Sequence, residues 1–279
     1  MEPVVSVWMC TYQHERFIAE AIEGVMMQQT NFPVQLILGE DFSPDGTRAI
    51  CESYAAQYGD RIKLLPSEKN HGQSDNLLRT LKACTGKYIA SCEGDDFWTD
   101  PYKLQKQVDF LEAHPEYVLC FHQVNVVDQD GKVLEDRIPA DIKHYNALSL
   151  FHTCVPTPSM LFRNCLPAFP DEFFKVRSTD AFICGMLSAF GHAADLGFVG
   201  ASYRKHAGGL YNQLSMLNRY KQSIHTRKLM QRSPFFSNEQ RKEIKRELKE
   251  RGVLYMKSFL KKREFMNCMR IAAFYLIAR

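Results

Sequence analysis

Between residues 4 and 91 the chain alternates four short β-rich apolar runs with three stretches of helical periodicity. The runs are 4–10, 34–38, 62–65 and 87–91. The helical stretches are 16–28, 47–58 and 73–84, the first carrying Phe17, Ile18, Ala21, Ile22, Val25 and Met26 on one face. Strand–helix alternation at this spacing implies right-handed crossovers and an α/β fold, a mostly parallel central sheet flanked by helices. Open sheets of this kind bind ligands beyond the carboxyl ends of their strands. The informative residues are therefore those after each run: Thr11-Tyr12, Asp41, Asn70-His71-Gly72 and Glu93-Gly94-Asp95-Asp96.

The last group holds three carboxylates in four residues, Glu93, Asp95 and Asp96. Clustered acids repel one another unless a cation neutralises them. A hard divalent ion with oxygen ligands, Mg²⁺ or Mn²⁺ carrying substrate phosphates, meets that need. The plainer alternative is a solvated acidic turn ahead of the next helix, which Thr99-Asp100-Pro101 opens over 100–114. No Gly-x-Gly-x-x-Gly and no Gly-x-x-x-x-Gly-Lys-Ser/Thr is present, so neither a dinucleotide fold nor a P-loop is signalled. A nucleotide held without a glycine-rich loop needs a metal for its phosphates and side chains for its base. Asp41 could accept from a base imino group and Tyr12 could stack on the ring. Equally, Asp41 could cap a turn and Tyr12 could be core.

Beyond residue 115 the pattern changes. A strand over 117–127 and the turn signal Asp130-Gly131 predict an antiparallel hairpin. A short helix is expected over 142–151 and an extended segment over 156–162. Ser178 or Thr179 would cap a helix over 181–190, with Asp180 in its first turn. Capping alone would explain Asp180; a catalytic role requires it to face a cleft. A strand over 197–203 leads into Arg204-Lys205-His206-Ala207-Gly208-Gly209, which suits a phosphate- or metal-facing loop, although His206 could simply be exposed.

From Leu217 onward the chain is helical and basic. It carries 17 Lys and Arg against 5 Asp and Glu, where the rest carries 18 against 27. A charged helix is expected over 239–251 and an amphipathic one over 258–279. Basic residues beside an apolar stripe suit an interfacial membrane helix, or a helix packed on the protein's own core. No aromatic residues interleave the basic face, which argues against nucleic acid as a partner. The division expected is a domain over 1–215 and a basic helical extension over 216–279. The chain has 279 residues, enough for a substantial core. Its nine scattered cysteines, without a Cys-x-x-Cys pair, argue against a disulfide framework and a structural zinc. With no signal-peptide pattern and no run of about 20 apolar residues, the expected location is cytoplasmic, peripheral on the membrane face if the tail is interfacial.

Taken in order, these motifs resemble the inverting bacterial nucleotide-sugar glycosyltransferases of family 2, with the GT-A fold. The resemblance runs from Val4 to about Gly209. Its carriers are Val5-Ser6-Val7 through Thr11-Tyr12-Gln13, Asp41-Phe42-Ser43-Pro44-Asp45-Gly46-Thr47, Lys69-Asn70-His71-Gly72, Glu93-Gly94-Asp95-Asp96, Trp98 to Leu104, and Tyr203-Arg204-Lys205-His206. It implies a Rossmann-type GT-A sheet, a UDP-sugar or related donor, a glycan or lipid-linked acceptor, and Mn²⁺ or Mg²⁺ as cofactor. By the same resemblance Thr11, Tyr12, Asp41, Asn70 and Asp95 would bind the nucleotide. Asp96, Glu93 and His206 would serve the metal, and Asp180 would be the general base. Two positions depart from the family pattern: Glu93 replaces the first Asp of the metal motif, and Ser178-Thr179-Asp180 lacks the common Glu-Asp pair. The competing readings are a nucleotidyl- or phosphoryl-transferase, which usually adds a basic glycine-rich loop that Thr11 to Arg16 does not form, and a non-catalytic nucleotide-sugar-binding scaffold.

Overall fold

The computed structural model describes residues 2–209 and 213–277. The chain divides into two compact units. The first comprises 1–144, 155–165 and 191–205; the second comprises 145–154, 166–190 and 206–279. The division is not a single cut: 145–154 and 166–190, which the sequence assigned with the first 215 residues, belong with the C-terminal helices.

In the first unit the alternation appears as β1 (Val5–Thr11), α1 (Ile18–Met26), β2 (Val34–Glu40), α2 (Thr47–Tyr58), β3 (Ile62–Leu64), α3 (Gln73–Lys82) and β4 (Tyr88–Ser91). These are followed by β5 (Phe97–Trp98), α4 (Lys103–Ala113), β6 (Tyr117–Asp128), β7 (Val133–Glu135), β8 (Lys143–Tyr145), β9 (Leu161–Arg163) and β10 (His192–Lys205). The strand order is β3-β2-β1-β4-β9-β6-β10-β5. Pairing is parallel across the first four strands. It turns antiparallel where β9 inserts between β4 and β6, with Ala90 and Cys120 both opposite Leu161. The expected β6–β7 hairpin is antiparallel, while β10 runs parallel to β6. The result is a mixed sheet whose parallel half carries the crossovers. The helix expected over 142–151 is instead β8, which pairs with β10, followed by a single 3₁₀ turn at Ser149–His152; pairing with a distant strand overrides the local periodicity.

β1 is buried along nearly its whole length, as a strand covered on both faces must be. Val5, Val7 and Met9 join Ile18, Ile22 and Val25 of α1 in the main core. Gly24 allows α1 to press against β5, since a Cβ there would lie 2.9 Å from the Trp98 backbone nitrogen. The Trp98 ring is buried and donates to the Pro158 carbonyl at 2.8 Å. Lys103, fully buried beneath it, places its ammonium 3.9 Å from the ring centroid.

The second unit is helical: α5 (Thr179–Leu187), α6 (Met216–Arg232), α7 (Asn238–Lys261) and α8 (Phe265–Ile277). α7 opens with a reciprocal capping box between Ser237 and Gln240. Ser178 is the N-cap residue of α5, but its side chain makes no capping hydrogen bond. The apolar stripe of the tail is core here: Ile224, Leu248, Tyr255, Phe259 and Ile271 pack together. A second apolar cluster joins Phe173, Phe182, Phe151 and Phe236 through edge-on and tilted ring contacts. Among the described residues no helix is long and apolar enough to cross a membrane. Ala278 and Arg279, the end of the helix expected over 258–279, lie outside the described residues.

Candidate active site

In the first unit the ends of β1, β2 and β4 converge. The Thr11 carbonyl accepts from the Asp41 N–H at 3.0 Å, and the Cys10 carbonyl accepts from the Gly94 N–H at 3.0 Å. Gly94 permits this approach, because a Cβ there would sit 2.5 Å from Thr11 Oγ1. Thr11, Asp41 and Asp96 are all buried, whereas Tyr12 is exposed on the rim.

Asp41 holds a loop. Its two carboxylate oxygens accept the backbone N–H groups of His71, at 2.8 Å, and Gly72, at 2.9 Å. Asn70 Oδ1 also accepts from the Gly72 N–H, at 3.0 Å. Gly72 has φ +83°, a left-handed conformation that glycine adopts without strain. A carboxylate has about four lone-pair sites, so Asp41 keeps acceptor capacity for a ligand.

The remainder of the Asp-x-Ser-x-Asp-Gly-Thr loop forms a clasp on the β1–α1 loop. Ser43 Oγ accepts from the Gln13 N–H at 3.0 Å, Thr47 Oγ1 from the His14 N–H at 2.9 Å, and Asp45 from the Glu15 N–H at 3.3 Å. Glu15 in return accepts the Gly46 N–H at 3.1 Å. The clasp holds two non-glycine residues in the left-handed region, Gln13 at φ 57° and Phe42 at φ 58°. Such strain persists only where surrounding bonds over-determine the backbone.

Glu93, Asp95 and Asp96 each bring one oxygen within 4.8 Å of the others. Asp96 Oδ1 accepts the Arg204 backbone N–H at 2.8 Å. Its other oxygen, Oδ2, is buried and has no hydrogen-bond partner among the described residues. Burial pushes the Asp96 carboxyl well above the usual carboxylate range, and the charges of Asp95 and Glu93 push it further. An all-oxygen donor set with an orphaned buried carboxylate oxygen fits a hard divalent cation.

Two side chains that the sequence analysis did not single out complete this corner. His14 lies between Thr11 and Asp95, with Nδ1 3.1 Å from Thr11 Oγ1 and Nε2 3.8 Å from Asp95 Oδ2. Arg204 is buried near the end of β10 and stacks over Phe17 and Phe97 at about 5 Å. Its guanidinium donates to the Asp95 carbonyl at 3.1 Å and the Gln129 carbonyl at 3.1 Å, and pairs with Glu20. Arg204 was visible within Tyr203-Arg204-Lys205-His206; an Arg at the end of a buried strand was the available signal.

Asp180 and His206 belong to the second unit. Asp180 lies in the first turn of α5 and is partly buried. Burial raises its carboxyl above the usual range, against the Ala181 N–H and the Arg227 charge. His206 follows the end of β10 and is partly buried, its carbonyl accepting the Gly209 N–H at 3.2 Å. The first unit thus gathers Thr11, Asp41, Glu93, Asp95 and Asp96, with Asn70 bonded to the loop that Asp41 anchors and Tyr12 on the rim.

An uncharacterised protein of Mycobacterium tuberculosis, Rv1520, is 35% identical over 210 residues, 75% of this chain and 60% of that protein. The chain therefore spans about 60% of the length of such curated relatives. Staphylococcus aureus TarS 1-349, solved in complex with UDP-GlcNAc, superimposes with a TM-score of 0.70 at 16% identity, covering 98% of this chain and 81% of that one. The mannosyltransferase PcManGT of Pyrobaculum calidifontis, solved with GDP-Man and Mn²⁺, gives a TM-score of 0.65 at 13% identity, covering 98% and 75%. At such identities the likeness concerns the fold. Residues 6–167 match the family model of Glycosyl transferase family 2, and with the strand ends gathered as described, this chain belongs to that family.

Proposed function

We propose that this chain is a metal-dependent, inverting glycosyltransferase. It moves a sugar from a nucleotide-diphosphate donor, a UDP-sugar, to a hydroxyl of a glycan or lipid-linked acceptor in surface polysaccharide synthesis. The observation that carries the reading is Asp96, buried with one oxygen orphaned inside a three-carboxylate cluster. The binding of nucleotide sugars by TarS and PcManGT, one with Mn²⁺, supports it.

In this reading Asp41 and Thr11 orient the base, Tyr12 stacks on it, and Asn70 and Asp95 border the ribose and diphosphate. Glu93, Asp95 and Asp96 would hold Mn²⁺ or Mg²⁺, and the role of His206 toward the metal or diphosphate rests on the family resemblance alone. When bound, that ion supplies the positive charge that makes the diphosphate a competent leaving group. Asp180 accepts the proton of the acceptor hydroxyl, and its raised pKa makes it a stronger base than an exposed carboxylate. The acceptor oxygen bonds to the anomeric carbon as the bond to the diphosphate oxygen breaks on the opposite face. One in-line displacement inverts that carbon and requires no covalent nucleophile.

The reading extends to a peripheral site on the cytoplasmic membrane face. The described tail exposes Leu254, Leu260, Phe265, Met266 and Met269 beside Lys257, Lys261, Lys262 and Arg270. This apolar and basic combination suits an anionic interface. The test of the main reading is calorimetry with UDP, GDP and dTDP, with and without Mn²⁺. Mn²⁺-dependent, UDP-selective binding is expected. If no nucleotide binds in either condition, the transferase reading fails.

A further inference from the structure

The second unit contains a cavity of about 360 Å³, lined by Lys175, Arg177, Leu214, Asn218, Lys221, Gln222, His225 and Phe274. Its side chains are of one electrostatic kind. Lys175, Arg177 and Lys221 are cations, His225 can become one, and Asn218 and Gln222 add amide donors, with no carboxylate among the described residues of the lining. Among the described residues none of the three cations forms an ion pair.

That contrasts with the buried Arg227 and the half-buried Arg251 and His152 of the same unit. Arg227 and Arg251 both pair with Glu247, and His152 lies 2.5 Å from Glu243 and 2.7 Å from Glu247. Around the cavity Lys175, Arg177 and Lys221 border one space, where a polyvalent anion would meet several cations at once.

The walls are tied together. His225 Nε2 lies 3.3 Å from the Lys175 carbonyl, joining α6 to the segment before α5. Asn218, Lys221, Gln222 and His225 recur at helical spacing, so one face of α6 forms a wall, with Leu214 just ahead of the helix. Asn218 lies in the first turn, at the positive end of the helix dipole. Phe274 and Leu214 give an apolar floor, with the Lys221 ammonium 5.6 Å from the Phe274 ring centroid.

We propose that this cavity is a binding site for a phosphate group, a phosphate ester or diphosphate, carried by the acceptor. Arg177 is three residues ahead of Asp180 in sequence, so one short segment carries both a cation of the cavity and the carboxylate assigned as the base. The assignment to an acceptor rests on the glycosyltransferase reading; the anion site itself does not. A diphosphate engages several donors at once, and Arg177 supplies a planar fork for two of its oxygens.

The test uses the full chain without metal. Inorganic pyrophosphate is titrated by calorimetry into wild type and into the triple variant Lys175→Ala, Arg177→Ala, Lys221→Ala, with circular dichroism verifying the fold. The triple variant is expected to bind at least roughly tenfold more weakly, and wild-type affinity is expected to fall with added salt. Two further arms separate the sources of the phosphate. Glycerol 3-phosphate represents a soluble ester. Phosphatidylcholine vesicles with and without phosphatidic acid represent a lipid headgroup. Triple-variant loss of binding in either arm supports the site and names its source. Equal pyrophosphate affinity in wild type and variant overturns it, even if UDP binds with Mn²⁺. UDP binding undetectable in both proteins, with pyrophosphate lost only in the variant, would leave the anion site standing and remove its assignment to an acceptor.

Discussion

Lys103 offers a quantitative test of how the site's foundation is built. It is fully buried, and burial holds its ammonium down to about 7 from the ordinary 10.5. Its Nζ donates to Gln107 Oε1 at 2.7 Å and faces the Trp98 ring. Cys92, Cys120 and Asp100 pull its pKa back up. With a folded pKa below the unfolded one, the unfolded chain binds more protons between those two values, so stability rises with pH across that window. The penalty is complete below pH 7 and disappears above 10.5. At 1.36 kcal/mol per unit it amounts to about 4 kcal/mol at pH 7 and about 2 kcal/mol at pH 9. The wild type alone will not display this cleanly. Burial lifts the thiols of Cys10, Cys51, Cys84 and Cys120 to about 12, so stability from those groups is lost as pH rises above 9. The difference between wild type and Lys103→Met removes the common thiol contribution. Urea unfolding at pH 7, 8 and 9 should show the wild type gaining about 2 kcal/mol on the variant over that range. The absolute offset also contains the lost Gln107 bond and ring contact, so the slope is the test. A wild-type-minus-variant difference that stays flat from pH 7 to 9 would refute the reasoning.

Three further outcomes are expected. Asp96→Asn should raise the stability of the metal-free protein, most clearly above pH 4, because a carboxyl whose folded pKa is raised destabilises wherever the unfolded chain ionises it; it should also abolish any Mn²⁺-induced rise in melting temperature, and an unchanged Mn²⁺ response would remove Asp96 from the ligand set. Asp41→Ala releases two charge-assisted bonds to the His71 and Gly72 N–H groups and should cost about 3 kcal/mol. Denaturation should show it, and UDP affinity should fall with it; unaltered stability would mean the loop is held elsewhere. Gly94→Ala puts a Cβ 2.5 Å from Thr11 Oγ1 and should cost about 1–3 kcal/mol while weakening Mn²⁺-dependent UDP binding in calorimetry.

The β/α alternation was legible because each run buries one continuous apolar strand and each helix one periodic stripe, as Val5 to Met9 and Ile18 to Val25 show. The strand ends followed from that alternation, and with them the convergence of Thr11, Asp41 and Asp96. What lay beyond local pattern was pairing between distant segments. β9 holds only three residues, and its place between β4 and β6 depends on partners some 40 to 70 positions away. The affiliation of 145–154 and 166–190 with the C-terminal helices is likewise tertiary: Phe151 and Phe173 are apolar residues in short irregular segments whose partners, Phe236 and Phe182, lie in or near helices. The tail's apolar stripe carried the same ambiguity in sequence; packing of Ile224, Phe259 and Ile271 assigns that stripe to core, and only the outward face of α7 and α8 remains for a membrane.

The role of Arg204 shows how the carboxylate cluster can be positioned without a salt bridge to any of its members. A guanidinium beside three acids would be expected to form a salt bridge with one of them. Instead its fork is directed to the Asp95 and Gln129 carbonyls and to Glu20, and it is the backbone N–H of Arg204 that bonds Asp96. The loop is therefore fixed in place through its main chain, with Asp96 Oδ1 oriented and Oδ2 left without a partner among the described residues. A direct bidentate pair would hold the loop more tightly, but it would compete with a cation for the same oxygens. The arrangement instead retains the mutual repulsion of Glu93, Asp95 and Asp96. In the proposed metal-dependent reading an arriving cation would relieve it, which would couple binding of the ion to rigidity of the loop through one carboxylate.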